Sequence, residues 1–382
     1  MHFFVRQDAL QECLNIVQNA VPAQTPFQII KGIYVEAKND ILTLVANNLE
    51  ISITAKCEEA EVIEEGALVL PDRLVDIVRQ FPLEKIEFKT DEEGRRAEIT
   101  GEGVDFFLHG TGTEEFPAIA DESLWNQWGK LVFSAHELKS VLKKVLFAVS
   151  TDDKRPSFKG VLLEVDETQN LFCMASDTYR LAHQQKNIGS KNDEKRQPLR
   201  MLVPGKTLAE VLKILDDSDT EVECYYKENE IIFKYKQFIF SGRLLEDSYP
   251  DFSNAFPNKY HTKIVVNNSL LEETLGRAAL LARGHNLMLS LSIIGNILQV
   301  KSGSEIGSMT EVLNLEKKEG DDLEEIFFNS RFLLDPLRIF EDTFIEIEFN
   351  GPFGPCIFNY HQETENGRDL YRYLVLPIKR ED

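Results

Sequence analysis

Two stretches of the chain read as copies of each other: "IIKGIYVEAKNDILTLVANNLEISITAK" (29–56) and "FKGVLLEVDETQNLFCMASDTYRLAHQQ" (158–185). Each has a Lys-Gly, an alternating apolar run, a polar turn, a second alternating run, another polar turn and a third run. That is the signature of short antiparallel strands joined by tight turns. The duplication reaches further. "VLPDRLVDIVRQF" (69–81) returns as "LVPGKTLAEVLKIL" (202–215), and "FFLHGTGTEEFPAI" (106–119) as "FIFSGRLLEDSYPDF" (238–252), at offsets of 128 to 133 residues. A fainter third copy follows in "LMLSLSIIGNILQVKSGSEIGSMTE" (287–311) and "FFNSRFLLDPLRIFE" (327–341). Three units of about 127 residues account for the 382-residue chain, with expected bounds 1–125, 126–256 and 257–382. Between them lie "IADESLWNQWGK" (119–130) and "SNAFPNKYHTK" (253–263), polar and turn-rich, where few contacts need cross.

Apolar residues at 3.6-residue spacing predict six helices, two per unit, near 8–21, 71–82, 135–150, 205–217, 267–283 and 330–342. Acidic and basic residues nearly balance on these helices, so most of the net charge of −22 falls on strands and loops. An average surface so acidic repels nucleic acid and anionic lipid, whereas the helices form a separate, less acidic face. No apolar run approaches the length of a membrane span, and "MHFFVRQDALQECL" turns polar too early for a signal peptide, so a cytoplasmic protein with no membrane partner is expected. Five cysteines far apart, with no CxxC pair, fit reduced thiols better than disulfides or zinc.

Motifs for chemistry fail on inspection. "VPGKTLAEV" contains the Gly-Lys-Thr of a phosphate loop, but Arg200 stands where the first glycine must be. "GTGTEE" (110–115) ends a strand and reads as a turn. The seven histidines show no metal-binding spacing, and "EKKEGDDLEE" (316–325) lacks calcium-loop spacing and reads as a solvated hairpin. No catalytic residue, metal ligand or cofactor site is expected.

The segments "FAVSTDDKRPSFKGVLLEV" (147–165), "MASDTYRLA" (174–182), "VPGKTLAEVLKIL", "FSGRLLEDSYPDF", "RAALLAR" (277–283) and "YLVLPIK" (373–379), in this order, resemble the bacterial sliding clamp, the beta subunit of DNA polymerase III. The resemblance spans the chain. It implies an α+β fold of three repeated units, each with two helices packed on curved antiparallel sheets, closing as a head-to-tail homodimeric ring with the helices inside. Twelve helices about 9 to 10 Å apart form a ring roughly 36 Å across, leaving a hole of roughly 25 Å, wide enough for a DNA duplex. The implied function is a processivity factor that encircles double-stranded DNA without sequence specificity. Its implied partners are polymerase subunits, the clamp loader and repair proteins, bound through short peptide motifs. The alternatives are a clamp-like adaptor that binds peptides without encircling DNA, and an enzyme on a clamp scaffold, which no motif favours.

The resemblance also carries over residues. A partner-peptide pocket is implied at Phe158, Ser176, Thr178, Tyr179, Arg180, Leu181, Pro250, Asn254, Ala255, Leu374, Val375, Leu376, Pro377 and Ile378. The DNA-facing cations would be Arg73, Arg79, Lys139, Lys143, Lys144, Lys206, Lys213, Arg277, Arg283 and Arg338. The dimer seam would set Leu280 and Leu281 against Phe106 and Leu108 of the second chain. The chain departs from the family pattern at Thr178 and Tyr179, where a small residue and a histidine are usual. It departs again at Gln24 and Gln28, where a basic residue and a proline are common, and in the extra tail Arg380 to Asp382.

Overall fold

The computed structural model describes residues 1–81, 85–91, 95–101, 103–189, 198–252, 254–282, 287–360 and 369–379. The six helices of the sequence pattern are all present: α1 Gln7–Val17, α2 Arg73–Gln80, α3 Ala135–Val145, α4 Gly205–Ile214, α5 Asn268–Ala279 and α6 Ser330–Leu337. α1 and α3 each end in a single 3₁₀ turn, so the apolar periodicity runs slightly beyond the α-helix proper.

The repeat survives in three dimensions. α1 buries Leu10, Cys13, Leu14 and Val17, α3 buries Leu138, Val141, Leu142 and Val145, and α5 buries Leu271, Thr274, Leu275 and Ala278. Each set is one i, i+3, i+4, i+7 stripe. Burying a large aliphatic side chain contributes about 1.5 to 3 kcal/mol, so each stripe anchors its helix well beyond intrinsic propensity. Entry to the helices is also specified locally. Ser134 and Glu137 form a reciprocal cap at α3, the Ser134 Oγ accepting from Glu137 N at 3.2 Å and Glu137 Oε2 from Ser134 N at 3.0 Å. Asn267 accepts from Leu270 N at the start of α5, and Asn329 from Arg331 N at the start of α6.

The strands form four antiparallel sheets within two compact units: residues 1–138 with 206–244, and residues 139–205 with 245–382. The first unit holds a five-stranded sheet, running from Ala60–Glu64 at one edge to Val104–His109 at the other. It also holds an eight-stranded sheet in which Phe238–Arg243 pairs with Ile51–Cys57, joining strands of the second repeat to those of the first. The second unit holds a four-stranded sheet edged by Gly307–Asn314, and a nine-stranded sheet in which Arg180–Asn187 pairs with Asp369–Val375. Adjacent repeats thus share continuous sheets.

Two sequence expectations need correction. "EKKEGDDLEE" is no hairpin: Lys317–Gly320 pairs with Thr262–Asn267, whereas Leu323–Asn329 pairs with Met288–Ile294 in the other sheet. The chain changes sheets at Gly320, whose φ of +81° and contact with the His261 carbonyl leave no room for a side chain. The 119–130 segment is no loose linker either. Its Trp125 is buried against Ile232 and Ile239, and Glu122 pairs with both Lys56 and Lys234. All five cysteines are buried and unbridged.

Candidate functional site

The polar turn of the second repeat, Ser176 to Arg180, closes on itself through local hydrogen bonds. Ser176 Oγ accepts from Thr178 N at 3.1 Å and donates to the Arg180 carbonyl at 2.7 Å. Asp177 Oδ1 accepts from Tyr179 N at 3.0 Å and Arg180 N at 3.1 Å. The turn forces Thr178 to φ +79°, a region costly for a β-branched residue and easy for glycine. The departure from a small residue at this position is therefore a conformational cost to the backbone. Tyr179, the second departure, is 62% exposed and lies near-parallel to Phe332 at 6.4 Å.

Arg180 is buried, and its guanidinium is fully engaged. Nε donates to Asp177 at 2.9 Å, and the two terminal nitrogens donate to Asp335 of α6 at 2.5 Å and to the Phe147 carbonyl at 2.7 Å. Its flat face lies over Phe332 at 4.4 Å. Arg180 thus ties the turn to α6 from a buried position, only 5% exposed. Ser176 and Val375 are likewise buried.

Around this frame lies an apolar floor. Phe158 packs with Leu162, Leu202 and Tyr249, while Ala255 packs with Leu181, Leu374 and Ile357. Met174 and Phe252 belong to both clusters and join them. Neither was anticipated from sequence; the available signals were the alternation of the Met174 strand and the repeated aromatic-Pro-x-apolar motif that contains Phe252. Pro250 and Asn254 are exposed. The tail leaves its strand after Val375 and is held at two points, by Leu376 N donating to the Tyr179 carbonyl at 2.8 Å and Ile378 N to the Phe327 carbonyl at 2.7 Å. Leu376 and Ile378 keep about 40% of their surface exposed, with Pro377 half-buried between them. On the sheet beside this floor, His183 is pushed down to about 4 by burial and by the Arg372 guanidinium.

The helix cations are mostly neutralised. Arg73 and Arg79 pair with Asp76, Lys206 with Glu50, Lys213 with Glu210, and Arg338 with Glu272. Arg277 engages Glu311 through two nitrogens, at 2.9 and 2.5 Å. Lys144 lies over the Tyr360 and Tyr371 rings, and Lys139 is half-buried. Lys143 is exposed and has no carboxylate partner among the described residues. Arg283 lies outside the described residues, as does the tail 380–382.

At the expected seam, Val104–His109 is an edge strand with Phe106 and Leu108 on its half-buried side, Phe106 packing on Phe81 at 5.9 Å. Leu280 is 56% exposed just past α5, and Leu281 is half-buried. Among the described residues, no group of three or more His, Cys, Asp or Glu side chains is placed to hold a metal ion, and no helix is long and apolar enough to cross a membrane.

Thrice-repeated helix-and-sheet units with sheets continuous from repeat to repeat define a clamp-type fold. Models of the N-terminal, central and C-terminal domains of the DNA polymerase III beta subunit match residues 1–120, 133–251 and 253–378. The chain is 31% identical over 389 aligned positions to the beta sliding clamp of Staphylococcus epidermidis, covering 99% of both chains, and equally to that of Staphylococcus aureus. The solved DNA polymerase sliding clamp of Bacillus subtilis superposes with a TM-score of 0.91 at 28% identity over the full length of both chains. The chain belongs to the DNA polymerase III beta subunit family, the bacterial sliding clamps, and its function is that family's: a processivity clamp of DNA replication.

Proposed function

We propose that two copies of this chain close into a ring around duplex DNA and slide on it without reading sequence, while an apolar pocket on each copy tethers polymerase subunits, the clamp loader and repair proteins by short peptides. The clamp units are 1–125, 126–256 and 257–382. The chain carries no chemistry of its own and works in the cytoplasm. The observation that carries this reading is the end-to-end match of three beta-subunit domains to three internal repeats. The charge pattern supports it. A chain of net charge −22 binds DNA poorly by direct attraction, so retention must come from topology, which also allows sliding.

The pocket is assigned to Phe158, Thr178, Tyr179, Leu181, Pro250, Asn254, Ala255, Leu374 and Leu376 to Ile378, with Ser176, Arg180 and Val375 as its buried supports. A Pseudomonas aeruginosa clamp of the same fold has been solved bound to griselimycin, so a family member accepts a small ligand. Lys143 is assigned to meet DNA because it is exposed and has no carboxylate partner among the described residues, whereas Arg73, Arg79, Lys206, Lys213, Arg277 and Arg338 are each paired. The seam is assigned to Leu280 and Leu281 against Phe106 and Leu108 of the second copy, where joining two sheets would cover exposed strand edges.

The test is retention on nicked circular duplex at moderate salt. Once loaded, the protein is expected to stay on the circle and to run off within seconds of linearisation. Equal release from both forms would remove the ring and leave the peptide-binding adaptor. Leu280→Lys with Leu281→Ala is expected to sediment as a folded monomer that binds peptide but is not retained; a dimeric double variant would place the seam elsewhere.

A further inference from the structure

The repeat has a consequence for the first unit, where the strands of the first and second repeats join. The turn between Ile41–Asn47 and Ile51–Cys57 has the same construction as the turn at Ser176. Asn47 Oδ1 accepts from Leu49 N at 2.7 Å, and Asn48 Oδ1 accepts from Glu50 N at 3.0 Å and Ile51 N at 2.9 Å. Leu49 takes φ +73°, matching the +79° of Thr178. The following strands also correspond. Ile51 is opposite Gly242 as Arg180 is opposite Val375, so Arg243 takes the place of Leu376. Beside this turn lies a cleft of about 400 Å³.

Its lining has both parts of a recognition site. Leu49 and Leu124 remain 54% and 56% exposed at its walls, with Ile119 beside them and Trp125 and Trp128 beneath. Of the other charges at the cleft, Lys227 pairs with Glu230 and lies over the Trp128 ring at 4.3 Å, Glu50 pairs with Lys206, and the Asp121 carboxylate accepts from Ser123 N at 2.9 Å. Arg243 is exposed and has no carboxylate within ion-pair distance among the described residues. On a chain this acidic, an unpaired guanidinium at the rim of an apolar cleft selects a carboxylate. We infer that this cleft is a second docking site, for an extended peptide that places large apolar side chains between Leu49 and Leu124 and an adjacent carboxylate on Arg243. The inference extends the peptide-pocket reading of the second unit, but its own lining carries it.

The chain supplies a reporter, because its only two tryptophans, Trp125 and Trp128, both line this cleft and none lines the pocket of the second unit. The full-length protein is titrated with acetyl-Ala-Leu-Phe-Asp-Leu-Asp-amide, which contains no tryptophan, and with the same peptide carrying Lys for both Asp. The expected result is a saturable change in tryptophan emission with the acidic peptide and little with the basic one. Arg243→Glu and Leu124→Lys, both at exposed positions, are each expected to weaken binding on the order of tenfold. Truncation before Leu376 should leave the titration unchanged. An absent emission change would overturn the site, as would equal affinity in both variants. Loss of the signal on truncation would also overturn it, by assigning the response to the other pocket. Failure of the ring reading would show instead in retention of the wild type on circular DNA, a separate measurement.

Discussion

The two inter-repeat junctions use one backbone solution and two kinds of adhesion. In both, a five-residue turn with a left-handed third residue leads into a strand that pairs with the next repeat. In the first unit the last residue of the turn is buried Ile51, and the nearby 119–130 segment is held by Trp125 against Ile232 and Ile239. In the second unit it is Arg180, whose guanidinium binds two carboxylates and a backbone carbonyl. A buried ion cluster of this kind costs much to desolvate, and its worth lies more in specifying one arrangement than in net stability. The comparison teaches that a repeat can conserve its turn while exchanging a hydrophobic anchor for a polar one.

The largest expected effect tests that exchange. Arg180→Ala leaves the half-buried Asp177 without its cation and Asp335 with only the exposed Arg331 at 3.6 Å, and should cost about 3 kcal/mol in urea denaturation, whereas Ile51→Ala should cost about 2 to 4 kcal/mol. If Arg180→Ala proves the milder of the two, the charge cluster is not what secures the second junction.

Next in size is an acid sensitivity confined to that junction. His183, three residues past Arg180, has a proton affinity lowered to about 4 by burial and Arg372, and the matching position in the first unit is Thr54. The unfolded chain takes up this proton near pH 6.5. Stability should therefore be full above pH 6.5 and fall as pH drops toward 4, by at most about 3 kcal/mol. His183→Gln should flatten that part of the denaturation-versus-pH curve; an unchanged slope would trace it to other groups.

The smallest effect probes what the junctions share. Thr178→Gly and Leu49→Gly should each change thermal stability by no more than about 1 kcal/mol in the stabilising direction, relief of the left-handed strain being partly offset by glycine's extra freedom in the unfolded chain. A clear loss at either position would mean its side chain does more by packing than it costs by strain.

Much of this architecture is visible in local pattern. The stripe Leu10, Cys13, Leu14, Val17 recurs 128 residues on in α3 and 133 residues further in α5, so helix count, helix face and repeat length follow from spacing alone. Polar turns flanked by alternating runs likewise announce the hairpins on either side of Leu49 and Thr178. What misleads is composition read without partners. The 119–130 segment looks like a linker because it is polar, yet two lysines far away in sequence neutralise Glu122 and a sheet face buries Trp125. "EKKEGDDLEE" looks like a solvated hairpin, yet its two strands belong to different sheets. Met174 and Phe252, which join the apolar floor, carry no local mark distinguishing them from ordinary core residues.

The threefold repeat, the six amphipathic helices, the turn chemistry and the acidic surface are legible in the chain alone, because each depends on composition or on residues within a few positions of one another. Which cations are spent and which remain available is set by the fold. An ion pair is formed by proximity, and Arg277 meets Glu311 on a strand 34 residues away, while Arg243 meets no carboxylate among the described residues. Burial likewise depends on what the rest of the chain packs over a side chain, and it is the fold that encloses Arg180 and ties its turn to α6.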